Sequence, residues 1–149
     1  MDNRTWVLPM IGQKVLMQLR DDIPGIWHPG EWGFFGGSVE PGEDVIEGAF
    51  REILEEINFR PTQLRPLLRH DTPEYGPEAI IYSYVCDLTV GLDQLTLGEG
   101  MDWDFLSVED IVAGKKMSPR FGKDFPIIPR PFMIEVFRAA LADSGISAY

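Results

Sequence analysis

The stretch that most constrains this chain is Gly36 to Phe59, GGSVEPGEDVIEGAFREILEEINF. It opens with a turn, Gly36 to Gly42, and continues as a segment with helical apolar spacing: Val45, Ile46, Ala49, Phe50, Ile53, Leu54 and Ile57. That spacing predicts one buried helical face. Glu52, Glu55 and Glu56 fall at i, i+3 and i+4, along one edge of that helix. Glu52 and Glu56 lie at the margin of the apolar stripe, where partial desolvation is expected. Glu55 and Glu56 also sit in the last turn, against the negative end of the helix dipole, at a cost of about 0.3–1 kcal/mol each. A helix built only for stability would place Lys or Arg there. A hard divalent cation such as Mg²⁺ or Mn²⁺ removes the conflict, since clustered carboxylates are its natural ligands. The bland alternative for these residues is a solvated acidic face.

The spacing extends beyond the carboxylates. Gly37 is followed after five residues by Glu43, and after seven more by Arg51-Glu52-Ile53-Leu54-Glu55-Glu56-Ile57-Asn58-Phe59. This pattern resembles the Nudix box, and seven of the nine fixed positions of that box are met: Gly37, Glu43, Arg51, Glu52, Ile53, Glu55 and Glu56. Asn58 stands where the family has Gly, at the end of the helix, where a left-handed residue is wanted. Asn is the next best residue for that conformation. Phe59 replaces an aliphatic residue, a change of packing rather than chemistry.

The resemblance implies one domain over residues 1–149, an α/β/α sandwich with a mixed sheet between helices. It implies metal-dependent hydrolysis of the pyrophosphate linkage in a nucleoside diphosphate derivative or nucleoside triphosphate, as in MutT-like enzymes. By the same resemblance Glu43 and Arg51 form an ion pair that organises the site. Glu55 and Glu56 bind metal, and Glu52 is either a third ligand or the general base. A glycine carbonyl, Gly36, joins the metal shell, and a further loop carboxylate, Glu99 with Asp102 second, lies nearby. All the box carboxylates are present, which favours an enzyme over an idle nucleotide-binding sensor of the same fold.

Around this element, Thr5–Ile11 and Lys14–Arg20 read as a hairpin about Gly12-Gln13. Asp21–Glu31 reads as a loop from its Pro and Gly content. Substrate contacts are expected from Arg20, from Trp27 and Trp32 by stacking on a base, from Tyr75, and from Arg120. Trp32 has a competing role in closing the loop over the core. Gln63–His70, Ala79–Leu88, Leu95–Glu99 and Trp103–Leu106 read as strands. Val108–Ala113 and Pro131–Ala142 read as helices. Lys115–Arg130 is a proline-rich basic loop, with Lys115, Lys116, Arg120, Lys123 and Arg130 against Asp124, suited to folding over an anionic substrate.

The formal net charge of −11 over 149 residues argues against duplex nucleic acid as a partner. It leaves a small nucleotide, admitted locally by cations, as the expected partner of a monomer or homodimer. No apolar run approaches the length of a membrane span, and the N-terminus lacks a signal-peptide pattern. A single cysteine, Cys86, leaves no internal disulfide and points to a cytoplasmic setting.

Overall fold

The structure, a computed structural model, describes residues 3–72, 79–129 and 132–143. Tyr75, Arg130 and Pro131 lie outside the described residues, so the expectation for Tyr75 is not addressed by the fold.

β1 (Asn3–Ile11) and β2 (Lys14–Leu19) meet at a two-residue turn, with Met10 opposite Val15 and Ile11 opposite Lys14. Beyond that pair the two strands diverge. β1 pairs antiparallel with β4 (Phe35–Ser38) and parallel with β6 (Ile80–Asp87). β2 pairs antiparallel with β3 (Trp32–Gly33) and β7 (Asp102–Leu106). β5 (Arg65–Asp71) completes the mixed sheet beside β6, with an irregularity between Pro66 and Arg69.

α1 (Val45–Ile57) covers one face, packing Ala49, Ile53 and Ile57 onto Val7, Leu16 and Phe35. α2 (Val108–Ala113) and α3 (Phe132–Asp143) belong to the other face, where Met133, Val136, Phe137 and Ala140 meet Leu8, Met10, Met17 and Val85. Alternation along β1, with Val7 toward α1 and Leu8 toward α3, buries the strand on both faces. Ile53 and Ile57 are fully buried, each contributing about 1.5–3 kcal/mol. Among the described residues no helix is long and apolar enough to cross a membrane.

Several elements differ from expectation. Leu95–Glu99 is not a strand. The Thr96 N–H donates to the Ile57 carbonyl (3.2 Å) and the Gly98 N–H to the Glu56 carbonyl (2.7 Å). The segment therefore satisfies carbonyls that the end of α1 would otherwise leave orphaned. Lys115–Arg130 is not an open loop, since β8 (Lys115–Met117) and β9 (Asp124–Pro126) form a hairpin within it. Ile127 and Ile128 continue from that hairpin with N–H bonds to the Gly114 and Trp32 carbonyls. Two of its lysines face carboxylates on the protein itself, Lys115 with Asp124 and Lys116 with Asp104.

Trp32 is fully buried in the core, and its indole N–H donates to the Lys116 carbonyl at 2.9 Å. An indole with no accessible face cannot stack on a ligand, so the substrate-binding expectation for Trp32 is corrected to a core role. Ile46, expected on the buried face of α1, is exposed, while Gly48 and Glu56 are buried.

Candidate active site

Three main-chain features assemble the site. The first is the junction of β4 with α1. Gly36 has φ +148, and a Cβ there would lie 1.8 Å from the Thr5 carbonyl oxygen. Only glycine lets β4 approach β1 so closely. At Gly37 a Cβ would lie 2.6 Å from the Glu52 carboxylate, so the glycine leaves the space that this carboxylate occupies.

The second feature is the helix itself. α1 starts with Asp44, whose N–H donates to the Glu47 carboxylate at 3.2 Å in a capping box. α1 ends at Asn58, which adopts the left-handed conformation (φ 56, ψ 38) and donates its N–H to the Leu54 carbonyl. The third is the Gly98 bond to the end of α1, which brings the following residue, Glu99, beside Glu56.

The carboxylates do not share one environment. Glu56 is 3% exposed and accepts the Gly36 N–H at 3.2 and 3.3 Å. Burial pushes its carboxyl well above the usual range, the charges of Glu52 and Glu99 add to that, and the Gly36 amide opposes it. Glu52 is half-buried and is also raised, first by burial, against the pull of its 2.9 Å bond from Arg51. Glu55 is 59% exposed, and its charge pushes Glu52 up further. The repulsion inside α1 therefore lies between Glu52 and Glu56, one turn apart, rather than between Glu55 and Glu56.

Arg51 holds this group together. Its guanidinium donates to Glu43 at 2.9 and 3.0 Å, to Glu52 at 2.9 Å, to Glu55 at 3.4 Å and to the Ser38 carbonyl at 3.0 Å. The Glu43–Arg51 pair is thus present, and Arg51 draws the Glu43 carboxyl down to about 2. The Ser38 contact was not legible in the sequence, because a backbone acceptor leaves no residue-type signal.

Among the described residues no three His, Cys, Asp or Glu side chains are already gathered as a metal cluster. The donor chemistry nevertheless fits a hard divalent cation. Glu52 and Glu56 adjoin each other, Glu56 has only a main-chain amide opposing its burial, and Glu55 and Glu99 act electrostatically on the pair. Asp102 is not part of this set. It is buried, and it accepts the Ser118 hydroxyl at 2.5 Å and the Arg120 N–H at 3.1 Å, so it anchors the β8–β9 hairpin.

A cleft of about 80 Å³, partly open to solvent, adjoins Gly36 and Gly37; Arg4, Trp6, Arg20, Trp27 and Phe34 line it as well. Arg20 also lines the neighbouring groove that contains Glu99 and Gly100. Arg20 and Trp27, expected to contact substrate, both border this cleft. Arg4 and Trp6 were missed, because in sequence they are ordinary members of a strand. Arg120 borders neither space; its guanidinium donates to the Met101 carbonyl at 3.3 Å and lies over the Phe121 ring.

The model of the Nudix domain matches residues 2–126. The chain belongs to the Nudix family. Nucleoside triphosphatase NudI of Escherichia coli K12 is 45% identical to this Nudix protein over 60 residues. That match takes in 38% of the chain and 41% of NudI, so the chain spans less than half the length of the curated relatives it matches. A Caenorhabditis elegans Ap4A hydrolase in a binary complex superposes with a TM-score of 0.67 at 19% identity, covering all of both chains. A MutT Nudix hydrolase from Burkholderia pseudomallei superposes with a TM-score of 0.64 at 15% identity, over 93% of this chain and 96% of its own. These two likenesses show the fold.

Proposed function

We propose that this Nudix protein hydrolyses the pyrophosphate linkage of a nucleoside triphosphate or nucleoside diphosphate derivative, with Mg²⁺ or Mn²⁺ held by Glu52 and Glu56 and joined by Glu55, Glu99 and the Gly36 carbonyl. The observation that carries the reading is the Glu52–Glu56 pair, packed against two glycines at the edge of a cleft with arginines in its walls. A bound divalent cation supplies charge neutralisation at the phosphates and a lowered pKa for the attacking water.

The chain supplies the rest. Arg51 fixes Glu52 and ties the Ser38–Glu43 turn to the helix, so the carboxylates keep their spacing. Water forms the new P–O bond as the bridging P–O bond breaks, and its proton passes to a carboxylate of this cluster. Arg20 meets the substrate from the cleft wall. The names of the relatives, a nucleoside triphosphatase, a MutT hydrolase and an Ap4A hydrolase, support a nucleotide polyphosphate as the substrate class.

The test is a panel of nucleoside triphosphates and diphosphate derivatives, incubated with Mg²⁺ or Mn²⁺ and again in excess chelator. Inorganic phosphate, pyrophosphate and the nucleotide product are read out. Cleavage that stops in chelator supports the reading. Nucleotide binding without turnover under every metal condition would replace it with an idle sensor module.

A further inference from the structure

We propose that the irregularity in β5 builds a second binding site, for a small organic anion with an apolar body, in which Arg69 meets the charge and the Tyr82 and Tyr84 hydroxyls donate to it. The site shares no residue with the Glu52–Glu56 pair, and its test uses no nucleotide, so it stands or falls apart from the hydrolase reading.

β5 lies at the edge of the sheet, beside β6. Pro66 stands opposite Tyr84, and Arg69 opposite Tyr82. Residues paired across a ladder share a face. Tyr82 and Tyr84 alternate onto the α1 side of β6, so Pro66 and Arg69 lie on that side too. Strand alternation alone would send Arg69, three residues after Pro66, to the opposite face. An extra residue within Leu67-Leu68 prevents this. Both leucines pack toward the α3 side, and Arg69 joins Pro66 beside the tyrosines. The Ser83 hydroxyl accepts the Leu68 N–H at 3.1 Å and donates to the Leu68 carbonyl at 3.0 Å, so the Leu68 main chain stays bonded where the ladder is interrupted. A bulge of this kind re-aims a side chain at a fixed place.

The result is an open groove of about 390 Å³ between β5 and β6, within the range of roughly 300–1,000 Å³ usual for small-ligand sites. α3 packs on β5 and β6 from the other face, while α1 rests on β4 and β1, which leaves this side of the outer strands open. Pro66 and Leu67 give the groove an apolar wall.

Its polar groups lack partners within the protein. The Arg69 guanidinium lies over the Tyr82 ring, 5.4 Å from the centroid, and among the described residues no carboxylate pairs with it. Arg51 and Arg65, by contrast, each pair with at least two carboxylates. Tyr84 is 7% exposed, and among the described residues its hydroxyl has no hydrogen-bond partner. Burial, then the neighbouring Tyr82 phenol, raise its pKa, so it stays an O–H donor. A buried hydroxyl without a partner is costly, and an anion seated between it and Arg69 satisfies both. Arg69 has only donors to offer, which selects an acceptor with negative charge. The apolar wall selects an anion with a body to cover it.

The test is an NMR titration of the ¹⁵N-labelled intact chain with benzoate, phenyl phosphate, benzamide and acetate. Benzamide keeps the ring and removes the charge; acetate keeps the charge and removes the ring. Benzoate or phenyl phosphate should shift the Arg69, Tyr82 and Tyr84 amides and bind at least about tenfold tighter than either control. The tighter of the two names carboxylate or phosphate as the anion. Arg69→Gln should weaken that binding about tenfold, and Tyr84→Phe about threefold or more. Arg69 is exposed, so its variant tests the site even where Tyr84→Phe fails to fold.

Benzamide bound as tightly as benzoate, parental affinity in Arg69→Gln, or shifts confined to the residues around Gly36 and Gly37 would overturn the proposal. So would shifts of the same amides on raising the protein concentration alone, which would give the groove to a second copy of this chain.

Discussion

Replacing Glu56 by Gln keeps the shape of the side chain and deletes its charge. Glu56 is 3% exposed, faces the Glu52 carboxylate, and has its carboxyl raised first by burial and then by that neighbour. A raised carboxyl binds its proton more tightly in the folded state than in the unfolded chain. Its stabilising contribution is therefore complete below the usual carboxylate range and is lost as pH rises through the folded value. Linkage sets the limiting slope of that loss at about 1.4 kcal/mol per pH unit for one proton.

In chelator, urea titrations from pH 4 upward should show the parent losing stability along that slope. Glu56→Gln should lack this component and be at least as stable as the parent at pH 8. Mg²⁺ or Mn²⁺, binding the folded state alone, should stabilise the parent by about 2.7 kcal/mol at a hundredfold excess over Kd, and the variant by less. A variant less stable than the parent in chelator at pH 8, or one with an equal metal-induced gain, would refute the reasoning that the Glu52–Glu56 repulsion is relieved by a cation.

Glu43 carries the opposite sign. Arg51 holds its carboxyl down at about 2, so its contribution is present above the usual carboxylate range and lost as pH falls toward 2; Arg51→Met should abolish that acid-side loss in denaturation curves. Gly37→Ala would put a Cβ 2.6 Å from the Glu52 carboxylate and force it from the position Arg51 holds, so kcat should fall by about tenfold or more. Asn58→Val should lower stability by about 1 kcal/mol, and Asn58→Gly should not, because position 58 is left-handed. Trp32→Ala empties a fully buried site and should cost about 3–5 kcal/mol in chemical denaturation.

The legible parts of this protein are those that local chemistry determines. The 3.6-residue spacing located α1, the preference of Asn for the left-handed region located its end, and the wheel position of Glu52 and Glu56 foretold their desolvation. The two strand-like runs on either side of Gly12-Gln13 located the hairpin. What local chemistry does not determine was not legible. Which carboxylates oppose each other depends on how deeply α1 sinks onto β4, so Glu55 and Glu56 look alike in sequence while one is exposed and the other buried. Leu95–Glu99 has the apolar alternation of a strand, yet its amides are taken by the end of α1. Trp32 finds its hydrogen-bond acceptor at Lys116, 84 residues away. Trp6 reads as core until the cleft beside Gly36 leaves part of it open.

The most direct test of the central claim is the turnover of a nucleoside triphosphate in saturating Mg²⁺, parent against Glu56→Gln, followed by ³¹P NMR. Loss of the β- and γ-phosphorus couplings at a steady rate in the parent is expected, with a fall of at least about a hundredfold in the variant, the order of loss when a group acting at the reacting centre is removed. Equal rates in the two proteins, or a parental rate that persists in excess chelator, would contradict the account.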